Sequence, residues 1–225
     1  MSLISEERLS DSPYVESVTR GWTMKEGMTI RPAEIHWHMV FVKEHGRTHR
    51  LVVGPLSTAG VASWGEGAEI LWIKFKLGVF MPHLPVRDFL DSEEALPGAA
   101  GKSFWLKSSA WQLPDFENAD TFVNKLVRDN ILVLDPVVDA ASREQLFDIP
   151  SRTMRHHFLR ATGLTRSRIS QMKQAQQATT LLQQGISILD TVHEAGYFDQ
   201  PHLNRALKQF IGYTPAQIAQ SSQPG

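Results

Sequence analysis

The sequence predicts an α+β protein, β-rich in its first half and all helical in its second. Three observations carry this. Aromatic and β-branched residues recur through residues 35–42, 48–53 and 69–77, with Gly, Ser and Pro between the runs. In the second half the apolar spacing becomes helical, as at Leu203, Leu207 and Phe210. That half also repeats one plan, a short helix and a turn followed by a helix that a Gly stops.

The first half reads as follows. Residues 35–42 form a strand, residues 43–47 a turn, and residues 48–53 the return strand, ended by Gly54-Pro55. Residues 69–77 are mostly apolar and are expected to be a central strand. The punctuation between the runs suits a small antiparallel sheet or a barrel. Residues 87–94 fit a short helix, and residues 103–111 show no readable pattern. Asp115-Phe-Glu-Asn118 leads into the helical half, with Asn118 or Asp120 capping a helix through Ile131. The expected domains are therefore 1–115 and 116–225, with residues 221–225 fraying.

The most informative stretch runs from Gly196 to Pro215. Asp199 can accept hydrogen bonds from the first N–H groups of a helix, and Pro201 falls where a missing N–H costs least. Leu203, Leu207 and Phe210 make a stripe for burial. Gly212 supplies the stop and Pro215 prevents continuation. Upstream, Ile186, Ile188, Leu189 and Val192 mark a shorter helix closed at Ala195-Gly196. Two short helices about a Gly turn, the second with Gln200, Asn204, Arg205 and Lys208 outermost, outline a helix-turn-helix. An ordinary helical hairpin fits the same pattern.

A second copy favours the former. Residues 146–150 read as a turn, residues 151–160 as a helix, and Gly163 as its stop. Met154 and Phe158 face inward, while Arg152, Arg155 and His156 share the opposite face. Between the copies, residues 167–184 form an uninterrupted helical stretch. A spacer of about 18 residues spans roughly 27 Å, near the ~34 Å repeat of the DNA major groove. Residues 151–189 hold six Arg or Lys and no Asp or Glu, against a chain of net charge −1. That imbalance suits phosphate contacts, the plainer alternative being a solvated helical face.

With its linker helix, its Gly196-Tyr-Phe-Asp-Gln-Pro-His-Leu203 run and its Gly212-Tyr-Thr-Pro215 stop, this half resembles the AraC/XylS family of bacterial transcription regulators. The likeness covers about residues 118–220. It implies a cytoplasmic, sequence-specific regulator, an activator or a repressor, whose two recognition helices read successive major-groove segments of double-stranded DNA. Matched by position, the groove-facing residues are Arg152, Arg155 and His156, then Gln200, His202, Asn204 and Arg205, with Lys208 alongside. The resemblance also implies RNA polymerase as a partner. In the first helix-turn-helix, Pro150 stands where the family usually has a Ser cap, and Glu144 where a small Ala packs the turn. Residues 1–115 are similar, less specifically, to the β-rich sensing or dimerising domains that precede such DNA-binding halves, several of them cupin-like. A small-molecule effector and a homodimer follow as expectations.

Other chemistry is excluded or less favoured. There is no cysteine, hence no disulfide, thiolate metal site or cysteine nucleophile. No apolar run approaches ~18 residues, and the first residues lack a basic region followed by an apolar core, so neither a membrane span nor secretion is expected. His36 and His38, pointing the same way from a strand with Glu44 downstream, invite a metal reading. The gap from His38 to Glu44 exceeds the usual cupin spacing, and no Gly-anchored second motif follows. Hydrogen-bonded histidines are therefore expected, with no metal and no cofactor. Trp37, Trp64, Trp72 and Phe75, with Phe41, could line an effector pocket or fill a core. There is no Gly-rich phosphate loop, no Gly-x-Ser-x-Gly elbow and no paired carboxylate motif, which argues against an enzyme. The competing reading is a small-molecule-binding protein or enzyme with a helical interaction module that does not bind DNA. It needs a catalytic constellation in residues 1–117, and none is visible.

Overall fold

The structure, a computed structural model, describes residues 3–145 and 149–221. Its early strands are β1 (Leu3–Leu9), β2 (Val15–Thr23), β3 (Gly27–Arg31), β4 (His38–Glu44), β5 (Arg47–Val53) and β6 (Gly60–Trp64). The later ones are β7 (Glu69–Phe75), β8 (Val79–Phe80), β9 (Glu93–Ala95), β10 (Ser103–Leu106), β11 (Ser109–Gln112) and β12 (Val133–Leu134). The first helices are α1 (Ala119–Arg128), α2 (Pro136–Ser142) and α3 (Ser151–Thr162). They are followed by α4 (Arg166–Gln183), α5 (Ile188–Glu194), α6 (Gln200–Phe210) and α7 (Pro215–Ser221). Two compact units result. One lies within Met1–Gly27, His36–Pro55 and Ser63–Gly163, the other within Met28–Ile35, Leu56–Ala62 and Leu164–Gly225.

The first unit is built on an antiparallel sheet in the order β1-β2-β7-β4-β5-β9. The sheet is open, with β1 and β9 at its edges, so the sheet-or-barrel alternative resolves to a sheet. β7 lies between β2 and β4, the central place its apolar run predicts. Register aligns Val18, Ile73, Met39 and Val52 across four strands, all at 0% exposure. Period-two alternation places Phe41, Leu71 and Phe75 on that same face. Phe41 meets Phe104 at 5.6 Å and Phe122 at 6.4 Å between ring centroids, so β10 and α1 cover the sheet there. His45-Gly46, at φ 48° and 75°, turns β4 into β5 with the two-residue geometry that suits twisted strands.

Several elements differ from the sequence reading. Strands β1, β2 and β3 precede residue 35, where none was predicted. β4 begins at His38 rather than residue 35, because Ile35 and His36 form a bend. The helix expected over residues 87–94 is a single 3-10 turn, Val86–Phe89, followed by β9. Asp91, at φ 58°, reverses the chain between them. The unreadable residues 103–111 hold the β10–β11 hairpin, whose Lys107-Ser108 turn sits at φ 47° and 62° without a Gly to announce it. α1 ends at Arg128 instead of Ile131, since Asn130 is left-handed at φ 53°. Asn118, not Asp120, takes the N-cap position of that helix, but its side chain makes no cap bond and accepts the Asp115 N–H at 3.0 Å instead. The carboxylate of Asp115 accepts the Glu117 and Asn118 N–H groups at 3.0 and 2.8 Å and shapes the turn. Asp120 is engaged by Arg8, at 2.7 Å.

The second unit contains α4 to α7, and β3 pairs with β6. α4 runs for 18 residues, within one residue of its predicted ends. The Thr165 hydroxyl accepts the Arg168 N–H at 3.2 Å as its cap. Ile169, Met172, Ala175, Ala178 and Leu182 are its buried residues, and both α6 and α7 contact this helix. Residues 146–148 of the predicted first turn, and residues 222–225 of the predicted frayed tail, lie outside the described residues. No helix among the described residues is long and apolar enough to cross a membrane.

Candidate nucleic-acid interface

α6 is strongly two-sided. Leu203 and Leu207 are at 0% exposure and Phe210 at 3%, so the predicted stripe is buried. Gln200, His202, Asn204, Arg205 and Lys208 are all exposed. The helix begins where Asp199 accepts the His202 N–H at 2.7 Å. It ends where Ile211 and Gly212 both donate to the Leu207 carbonyl, at 2.8 and 2.9 Å, with Gly212 at φ 89°.

The turn before α6 is built by backbone geometry. Gly196 is at φ 71° and donates to His193 O at 3.1 Å, while the Tyr197 N–H reaches Val192 O at 2.8 Å. This pair of reversed bonds satisfies carbonyls that the last turn of α5 would otherwise leave free. It also turns Tyr197 inward, where its ring stands edge-on to His202 at 5.1 Å. Burial pushes the Tyr197 hydroxyl up to about 12, so it remains a neutral phenol. Gln174 on α4 clasps the same turn, its side-chain amide donating to Ala195 O at 2.9 Å and Gly196 O at 3.1 Å. No sequence pattern points to Gln174, because its partner is a carbonyl about twenty residues away.

The C-terminal end of α6 is held by residues from early in the chain. The Ala33 N–H donates to Phe210 O at 2.6 Å and the Ala59 N–H to Gln209 O at 2.8 Å. Arg168 donates to Ser57 O at 2.8 Å, and its guanidinium lies 4.4 Å from the centroid of the Phe210 ring. Sequence reasoning missed all of these, since a backbone N–H carries no signature.

In α3, Arg152, Arg155 and His156 are exposed together, and Phe158 is buried. Pro150 makes no side-chain cap bond to the helix. Asp135 holds the opposite side. Its fully buried carboxylate pairs with His157 at 2.8 Å and Arg160 at 2.6 Å, and it caps α2 through the Val137 and Val138 N–H groups. Burial opposes ionisation of Asp135, but the hydrogen bonds from His157, Arg160 and Val138 outweigh it and hold its carboxyl below the usual range. The Asp135-Pro136 pair, a cap followed by Pro at the first helical position, was a legible signal that the sequence reading did not use. Glu144 takes a left-handed φ of 59° just after α2, a conformation that a Gly would adopt more cheaply.

The aromatic residues of the first half fall into different places. Trp37 stacks on Phe75 at 4.0 Å and 15°, and its Nε1 donates to Val79 O at 2.7 Å. Trp72 is one residue out of phase with Ile73 and so projects from the other face of β7. Trp64 lies against Gly27, where an added Cβ would come within 2.8 Å of its ring. Among the described residues, Trp64 and Trp72 make no ring contact with the Trp37–Phe75 pair. Cleft residues Phe80, Met81, Pro82, Pro85, Val133, Leu134 and Arg160 enclose about 350 Å³ elsewhere in the first unit. His36 precedes β4 instead of sharing a strand with His38, and its Nδ1 lies 2.7 Å from Phe75 O. The described residues include no group of three or more His, Asp or Glu side chains placed to hold a metal ion.

A family model described as a helix-turn-helix domain matches residues 145–221, the stretch that runs through α3 to α7. No curated protein and no solved structure matches the chain. Residues 145–221 thus form a helix-turn-helix domain of AraC type, which supports a DNA-binding regulatory role for this part of the chain.

Proposed function

We propose that the two helices α3 and α6 read successive major-groove segments of one double-stranded DNA site, under control of residues 1–115. The supporting observation is α6 itself. Five polar side chains, Gln200, His202, Asn204, Arg205 and Lys208, are exposed above a fully buried stripe, behind a turn fixed by Gly196 and clasped by Gln174. Asn can pair bidentately with adenine and Arg with guanine, so Asn204 and Arg205 are the base readers. Arg152, Arg155 and His156 serve the same purpose on α3. Arg166 and Lys173, exposed on α4, meet phosphates. Residues 116–225 supply DNA binding. Residues 1–115 supply effector sensing and homodimerisation, and bound RNA polymerase makes the protein an activator. The chemistry is binding, with no catalytic step.

The test is a gel-shift titration on a site selected from random DNA by the purified full-length protein. Asn204→Ala and Arg205→Ala should each weaken that site by about 1–3 kcal/mol and relax preference at one base pair. Lys173→Ala should weaken all sequences alike and flatten the salt slope. Unchanged preference in both α6 variants would remove α6 as a base reader.

A further inference from the structure

Phe198 is 92% exposed. Its neighbours direct it outward. Tyr197 on one side is buried against His202, and Asp199 on the other is committed to capping α6. An apolar residue just before a helix cap ordinarily packs on the fourth helical residue, which here is Leu203. Leu203 is at 0% exposure, yet the Phe198 ring stays in water, so that staple is not made. The local fold therefore gives no reason for a phenyl group at this position.

Its place on the surface does. Phe198 sits two residues before Gln200, at the N-terminal end of α6, and Gln200 and His202 beside it are exposed. In helix-turn-helix proteins that end of the helix goes into the major groove and meets base edges. The apolar group displayed there is the 5-methyl of thymine, which Phe is suited to cover. We propose that Phe198 is a specificity-determining residue that packs on the 5-methyl group of one thymine in the site. This rests on the reading that α6 lies in the major groove.

Replacing each thymine of the selected site in turn by deoxyuridine removes one methyl group and leaves every hydrogen bond intact. At one position the wild-type, full-length protein should lose affinity about fourfold, the worth of one buried methyl-sized group. Phe198→Ala should bind the thymine site more weakly by at least that factor and no longer distinguish thymine from uridine there. Phe198→Leu should keep part of the discrimination. A wild-type protein that binds every uridine-substituted site as tightly as the original overturns the proposal, whatever the variants do. So does a Phe198→Ala protein that retains full DNA affinity but loses transcription activation, which would put the ring against a protein. Asn204→Ala and Arg205→Ala separate the two levels. If they still alter base preference, only the role of Phe198 falls, and if they too are silent, the reading of α6 falls with it.

Discussion

The side-chain amide of Gln174 donates to the carbonyl of Ala195 at 2.9 Å, tying the middle of the linker helix to the turn before α6. A second bond, to Gly196 O at 3.1 Å, makes the clasp two-pronged. The turn that leads into α6 is thus held by a side chain about twenty residues earlier in the chain.

Gln174→Ala should lower the stability of this region by about 1–2 kcal/mol, since two carbonyls lose a donor and water replaces only part of it. Gln174→Glu should be worse at neutral pH, because a carboxylate would face two carbonyl oxygens. Thermal melts of the two variants check the order. Equal melting temperatures for both variants and the wild type would mean the clasp contributes nothing.

Gly196→Val should cost more than ~1 kcal/mol and abolish specific binding, because φ 71° is strongly disfavoured for a β-branched residue. The obstacle is conformational, since an added Cβ would meet only Gln174, at 3.8 Å. Gly196→Asn should therefore be milder. Gly212→Ala adds crowding to an unfavourable φ, as its Cβ would come 2.5 Å from Ile30 Cγ2. Urea titrations of the three variants give the ranking.

Asp135 couples stability to pH. Its folded carboxyl is held below the usual range, so the unfolded chain takes up the proton first as pH falls. Its contribution is complete above the unfolded value, about 3.9. It is lost progressively as the pH is lowered through that value toward the folded one. Asp135→Asn should flatten this part of the stability profile, and Asp135→Ala should cost about 2–3 kcal/mol at pH 7 by removing both the α2 cap and the charge partner. Melts between pH 7 and pH 3 distinguish them, and an unchanged acid limb in Asp135→Asn would count against this assignment.

A fragment of residues 116–225 lacks Ala33 and Ala59, whose N–H groups cap the last carbonyls of α6, and Ser57, which accepts from Arg168. At about 1 kcal/mol per hydrogen bond, the fragment should lose on the order of 2–3 kcal/mol around α6. It should bind the selected DNA more weakly than the whole chain, with faster amide exchange in the last turn of α6. Equal affinity and equal protection would show that these early residues are dispensable.

The sequence by itself determined α6, its cap at Asp199, its stop at Gly212 and its outward polar face. Each of these is a local matter of helical period, capping or positive φ, and neighbouring residues suffice to decide it. The same holds for α4 and for the hairpin turn at His45-Gly46. The β10–β11 hairpin was illegible because its Lys107-Ser108 turn adopts left-handed backbone with residues that do not favour it. β9 was misread as helix because a three-residue edge strand exists only where β5 offers unpaired backbone to pair with. Tertiary structure alone decided what anchors α6. Gln174, Arg168, Ala33 and Ala59 act through backbone carbonyls distant in sequence, and a carbonyl looks the same in every residue. Phe198 shows the boundary between the two. Its letter is readable in the sequence, but only the fold shows that its ring, one position from the buried Tyr197, stays in water.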